Sequence, residues 1–126
     1  MWANITPVPN AVFDCHLREL KIAEIKVLLV IVRQTLGWED KTTKSERKES
    51  DWIAGKQLRE KTGCSKRAII SAVRFLVAKN LIVVSDEYGN ILDTSERRQG
   101  KQKLFYRISP ALFSLAEKLF QQEKFC

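Results

Sequence analysis

Apolar residues recur at helical spacing in three long stretches of this 126-residue chain, with short β-branched or alternating runs between them. Ile25, Leu28, Leu29, Val32 and Leu36 share one face of a helix predicted over Ala23 to Leu36, the central core helix, which Gly37 ends. Ile69, Ala72, Val73, Leu76 and Val77 form the second stripe. Leu112, Phe113, Ala116, Leu119 and Phe120 form the third, on a helix that Ser109-Pro110 begins, proline being favoured at the first helical position. Ahead of them, Thr6-Pro7-Val8-Pro9 reads as extended, because each proline pushes its predecessor away from helix. Asn10 is placed to cap a short helix over Ala11 to Leu17. Strands are expected at Asp51 to Ala54, Leu81 to Val84 and Leu104 to Ile108.

The segment from Gly55 to Val84 carries the densest local signals. Leu58 marks the buried side of a short helix whose wet side is Lys56, Arg59, Glu60 and Lys61. Thr62-Gly63 ends it, since glycine accepts the left-handed conformation that closes a helix. Ser65 is a natural N-cap for the next helix, its hydroxyl accepting a bond from an otherwise orphaned amide. Opposite the apolar stripe of that helix lie Arg67, Ile70, Ser71, Arg74 and Ala78, and Lys79-Asn80 closes it. Helix, glycine turn, longer helix and strand make the pattern of a helix-turn-helix that runs into a wing.

The predicted fold is therefore mainly α with a small β-hairpin wing, a winged helix-turn-helix filling one domain, 1–126. Its parts are an N-terminal arm and short helix (6–20), a polar loop (38–51), the helix-turn-helix with the first wing strand (55–84), the wing (85–108) and a C-terminal helix (110–124). The C-terminal stripe either caps the core or buries itself against a second copy as a homodimer contact.

Charge sharpens the picture. The net charge is +7, from 22 basic and 15 acidic residues. Two stretches hold no acid at all, Lys61 to Ser85 and Arg97 to Ala116, and together they carry ten of the basic residues. The other 12 face all 15 acids, so the entire positive excess lies on the helix-turn-helix and the segment after its strand. A solvated helix usually mixes signs; one-sided charge is the footprint of a surface that meets phosphates. Ser65, Lys66, Arg67, Ile70, Ser71 and Arg74 are accordingly the recognition-helix candidates, with arginine able to bond a guanine bidentately and Ile70 able to touch a thymine methyl. Arg97, Arg98, Lys101 and Lys103 are the wing candidates for phosphate contact. In the 38–51 loop, mixed signs argue for a solvated excursion.

Several classes fall away. The longest apolar run, Val27 to Val32, is far too short to span a bilayer, and the start Met1-Trp2-Ala3-Asn4 lacks a secretory pattern, so a cytoplasmic protein without membrane partners is expected. Cys15, Cys64 and Cys126 are odd in number and lack CxxC spacing, which indicates neither disulfides nor a zinc site; no metal or cofactor is expected. His16 is the one histidine, read as a surface or core-edge residue, and Tyr88 and Tyr106 have no catalytic partner near them in sequence. A nicking enzyme is therefore not expected. Double-stranded DNA is the expected partner, with a winged-helix transcriptional regulator as one role that such a fold fills.

Pro9-Asn10 before a short helix, RQTLGW at Arg33 to Trp38, DWIA at Asp51 to Ala54 and GCSKRAIISAV at Gly63 to Val73 occur in an order that resembles the N-terminal DNA-binding domain of phage replication protein O. The chain is also similar to initiator-type proteins of mobile elements with the pattern R-x-T-x-G-W, D-W-I, T-G-x-S-x-R. The resemblance spans Pro7 to Ile108. It implies a winged helix-turn-helix that binds repeated origin sites, often as a dimer. Engagement of helicase-loading machinery is implied only for a longer parent chain, because in that family a further C-terminal region does the recruiting.

Overall fold

A computed structural model describes residues 5–35, 50–101 and 103–110. Among them the chain is mostly helical, with one small three-stranded antiparallel sheet. After an extended start come a π-helical turn at Val12–His16 and a 3-10 turn at Leu17–Glu19. Then follow α1 (Ile22–Thr35), β1 (Ser50–Trp52), α2 (Gly55–Thr62), α3 (Lys66–Ala78), β2 (Ile82–Ser85), α4 (Ser95–Arg98) and β3 (Phe105–Ile108).

The first helical turns correct the expectation of a simple capped helix over Ala11 to Leu17. Ala11, not Asn10, occupies the N-cap position, it is itself helical, and no side chain caps it. Pro9 takes over, its carbonyl accepting from the Val12 amide at 3.0 Å. A proline carbonyl needs no side-chain geometry to do this, so the asparagine is not required.

α1 forms where expected but turns a different face inward. Val27, Leu28, Ile31 and Val32 are all at most 1% exposed, whereas Leu29 is 41% exposed and Ile25 only half-buried. Leu28 and Val32 of the expected stripe are buried, but Val27 and Ile31, each one residue earlier, complete the inward face in place of Ile25 and Leu29; α1 is apolar enough on both sides that spacing alone does not rank them. The helix starts on half of a capping box, Glu24 Oε1 accepting from the Lys21 amide at 2.8 Å. At its far end Thr35, fully buried, donates its hydroxyl to the Ile31 carbonyl at 2.7 Å.

α2 and α3 pack on α1 through Leu58, Ile69, Ala72, Val73 and Leu76, all buried. The turn between them follows the sequence reading. Gly63 has φ +71°, its amide bonding the Arg59 carbonyl at 2.9 Å, and Ser65 Oγ accepts from the Ala68 amide at 3.2 Å. α3 closes at Lys79, and Asn80 takes φ +59°, a conformation that asparagine tolerates.

The sheet order is β1-β3-β2, with Ser50 opposite Arg107, Asp51 opposite Tyr106, and Ile82 opposite Ile108. Tyr106, Ile108, Ile82 and Val84 alternate into the core with their neighbours half-buried, as period-2 patterning requires. The β2–β3 connection departs from the expected long hairpin loop. The chain reverses at once in Asp86 to Asn90, lays Leu92 against β2 (amide to the Val84 carbonyl, 2.8 Å), and builds α4 before returning as β3. Leu36 and Gly37, most of the 38–51 loop, and the C-terminal helix with Leu112, Phe113, Ala116, Leu119 and Phe120 lie outside the described residues.

Candidate nucleic-acid interface

α3 leaves its basic side uncovered by the core. Lys66, Arg67, Ile70, Ser71 and Arg74 are all exposed, because residues 69, 72, 73 and 76 already take the inward stripe. The exposed set divides into two rows at i,i+4 spacing. Lys66, Ile70 and Arg74 make one row; Arg67 and Ser71 make the other, one step around the helix.

Among the described residues, only the first row lines a cleft against another element. A cleft of about 670 Å³ opens between the α2–α3 pair and the α4–β3 connection, lined by Lys66, Ile70 and Arg74 on one wall and by Ser95, Arg98 and Lys101 on the other. Its apolar floor includes Ile53, Leu58, Val73 and Tyr106. Arg59 of α2 joins the lining, which among the described residues holds five cationic side chains and a single acid, Glu96.

The wall formed by α4 is joined to α3 by a hydrogen bond from Arg74 and braced by others within itself. Thr94 caps α4, its Oγ1 accepting from the Arg97 amide at 3.2 Å. Ser95 Oγ accepts from Arg74 Nε at 3.2 Å and from Arg98 Nη2 at 3.4 Å, and Arg98 Nη1 donates to the Leu92 carbonyl at 2.9 Å. Burial pushes the Arg98 guanidinium below its ordinary pKa, opposed by Tyr106 and reinforced by the neighbouring charge of Arg74. Tyr106, buried beneath, is pushed up to about 12 by desolvation, with Arg98 acting against it, so the floor stays a neutral phenol at any physiological pH.

The wing candidates therefore part company. Arg98 and Lys101 line the cleft, while Arg97 and Lys103 do not. Arg97 points elsewhere, 3.7 Å from Asp93 in an exposed ion pair worth little in water. Lys103 Nζ sits 5.0 Å from the Trp52 ring centre, a cation–π contact on β1. Ser65 spends its hydroxyl on the α3 N-cap. Arg59 was read only as the wet side of α2; nothing in linear sequence says that this side looks toward α4.

His16 is half-buried at the core edge, and desolvation lowers its pKa. Among the described residues, no group of three or more His, Cys, Asp or Glu is placed to hold a metal ion, and no helix is long and apolar enough to cross a membrane.

Compared with protein families, residues 4–96 match the model described as bacteriophage replication protein O. The chain belongs to that family. Nothing matches it among curated proteins or among solved structures. The matched residues of the replication protein O family run from the N-terminal arm through α1, β1, α2, α3 and β2 into α4, and so include the helix pair and Arg59, Lys66 and Arg74. Lys101 and β3 follow the matched region. Membership supports a role in phage replication.

Proposed function

We propose that this member of the replication protein O family is a winged helix-turn-helix that binds double-stranded DNA sequence-specifically at origin repeats. α3 is the recognition helix in the major groove, and the β2–β3 connection is the wing against the flanking backbone. The observation that carries the reading is the cleft beside α3, where five cations meet one acid. A surface that served solubility alone would gain nothing from gathering like charge, because repulsion between neighbours costs stability. Lys66, Arg67, Ile70 and Ser71 present donors and an apolar contact of the kind that base edges take, and Arg98 and Lys101 present charge to phosphate. The chain acts on this reading by binding and not by catalysis, with DNA as partner and no cofactor.

The test is selection of binding sites from random duplexes by the full-length protein, followed by mapping of the selected sequence onto the phage genome. Iterated copies clustered at an origin are the expected outcome. Sites at promoters would identify a transcriptional regulator instead, and absence of any duplex binding at low salt would remove the DNA reading altogether. Incubation of supercoiled plasmid with the protein and a divalent metal is expected to leave it unnicked.

A further inference from the structure

We infer that the cleft between α3 and α4 seats one phosphodiester strand, with Arg74 and Arg98 as a two-guanidinium clamp on it, and that base selection falls to Arg67 and Ser71. This rests on the duplex-binding reading above and redistributes its parts: Arg74, which its position on α3 made a base-reading candidate, holds backbone instead.

Three observations converge. The first is the shared hydroxyl. Ser95 Oγ accepts from Arg74 Nε and Arg98 Nη2, which draws two positive groups to one neutral oxygen, and among the described residues no carboxylate forms an ion pair with either. Asp93 and Glu96 offset part of the Arg98 charge from farther away, but two guanidiniums held together with no ion-paired carboxylate between them call for an anion, and arginine forks fit phosphate oxygens bidentately. Anchoring uses Arg74 Nε and one hydrogen from each terminal nitrogen of Arg98, so the terminal nitrogens of Arg74 remain available.

The second is register. Arg74 lies eight residues after Lys66, about 12 Å along the helix axis at 1.5 Å per residue, which is about the full width of the major groove. Recognition helices touch base edges chiefly through their N-terminal residues. With Arg67 in the first turn of α3 at the bases, Arg74 stands at the groove margin, where the backbone runs.

The third is the split between the two rows on α3. Arg74 is fastened to the opposite wall, whereas Arg67 and Ser71 are exposed, lie outside the cleft and make no side-chain hydrogen bond to any described residue. Side chains free of the wing can extend to base edges. The apolar floor, with Val73 beside half-exposed Ile70, suits the deoxyribose faces between phosphates.

Fluorescence anisotropy of the full chain on the selected duplex and on single-base variants of it, across a salt series, tests this. Arg74→Gln is expected to weaken all these duplexes by the same factor and to lower the salt slope by about one. That is a three- to fourfold smaller affinity change between about 50 and 200 mM salt. Arg74→Lys, which keeps the charge, is expected to restore the slope, and Arg67→Gln to alter base preference at one position while Arg74→Gln leaves every preference unchanged. A changed base preference in Arg74→Gln, with duplex binding intact, overturns the clamp and leaves the DNA reading standing. A parent protein that binds polyglutamate but no duplex overturns both. A melting temperature recorded for each variant ensures that a lost contact is not a lost fold.

Discussion

Gly63 and Ser65 decide how α3 is presented, and each does so for a different physical reason. A Cβ built on Gly63 meets nothing within 4 Å, so substitution there carries no steric clash with neighbours. Its cost is conformational alone, set by φ +71°. Gly63→Ala is expected to destabilise the protein by about 1–2 kcal/mol in urea denaturation, with Gly63→Asn clearly milder because asparagine visits the left-handed region. Ser65→Ala removes the bond to the Ala68 amide and is expected to cost about 1 kcal/mol. An equal loss from Gly63→Asn and Gly63→Ala would show that the turn tolerates the backbone change in some other way. Arg67 is different in kind, because it is exposed and outside the cleft. Its truncation is expected to leave stability unchanged within the scatter of surface mutations.

At the scale of elements, the β2–β3 connection stands on the Asp86 turn. Asp86 Oδ1 accepts from the amides of Tyr88 at 2.9 Å and Asn90 at 2.8 Å, and Oδ2 from Asn90 Nδ2 at 3.0 Å. Burial on its own pushes this carboxyl up, but the hydrogen bonds from Asn90 and Tyr88 outweigh it and hold the pKa below the ordinary 3.8. A folded pKa below the unfolded one means stability that is fully present above the unfolded value and lost as pH falls through the folded value. Asp86→Asn is therefore expected to melt lower than the parent at neutral pH and to converge with it as pH falls through the folded pKa, below the ordinary 3.8, and parallel melting curves across that range would reject the assignment. The turn was legible as a turn; its consequence was not. α4 lacks an apolar stripe, and what holds it is Arg74 on α3, twenty-one residues before Ser95. The Thr94 N-cap and Gly100 at φ +79° bound this short helix locally, a helix the sequence reading did not foresee, and they carry no information about where it docks. α2 and α3 were legible because their caps are local. The buried face of α1 was not, since Val27 and Ile31 compete with Ile25 and Leu29 for the core and only packing chooses between them. The same limit hid Arg59, whose place in the cleft depends on which way α2 faces.

For the molecule as a whole, segregation of charge sets how binding responds to salt. The positive excess identified in sequence lies on the end of α2, on α3 and its C-cap and on the segment that builds α4 and β3, and the fold brings part of it to one cleft while directing Arg97 and Lys103 away. Six cations then stand where a duplex on α3 would pass: Arg59, Lys66, Arg74, Arg98 and Lys101 around the cleft, with Arg67 beside it. Each phosphate neutralised contributes about 0.9 to the slope of log affinity against log salt. If four or five of the six meet phosphates and the others meet bases, one protomer is expected to show a slope of about −3.6 to −4.5. That corresponds to a loss of roughly 150- to 500-fold in affinity between about 50 and 200 mM salt. Arg97→Ala and Lys103→Ala should leave the slope where it is, because their partners are Asp93 and Trp52. Lys101→Ala should lower it by about one. Titration of the selected duplex with parent and the three variants at several salt concentrations measures all of this at once. A slope near −1, or equal effects from Lys101 and Arg97, would mean that the cleft is not where the backbone lies, since the charge would then act only through the diffuse field of the protein and not through contacts that release counterions.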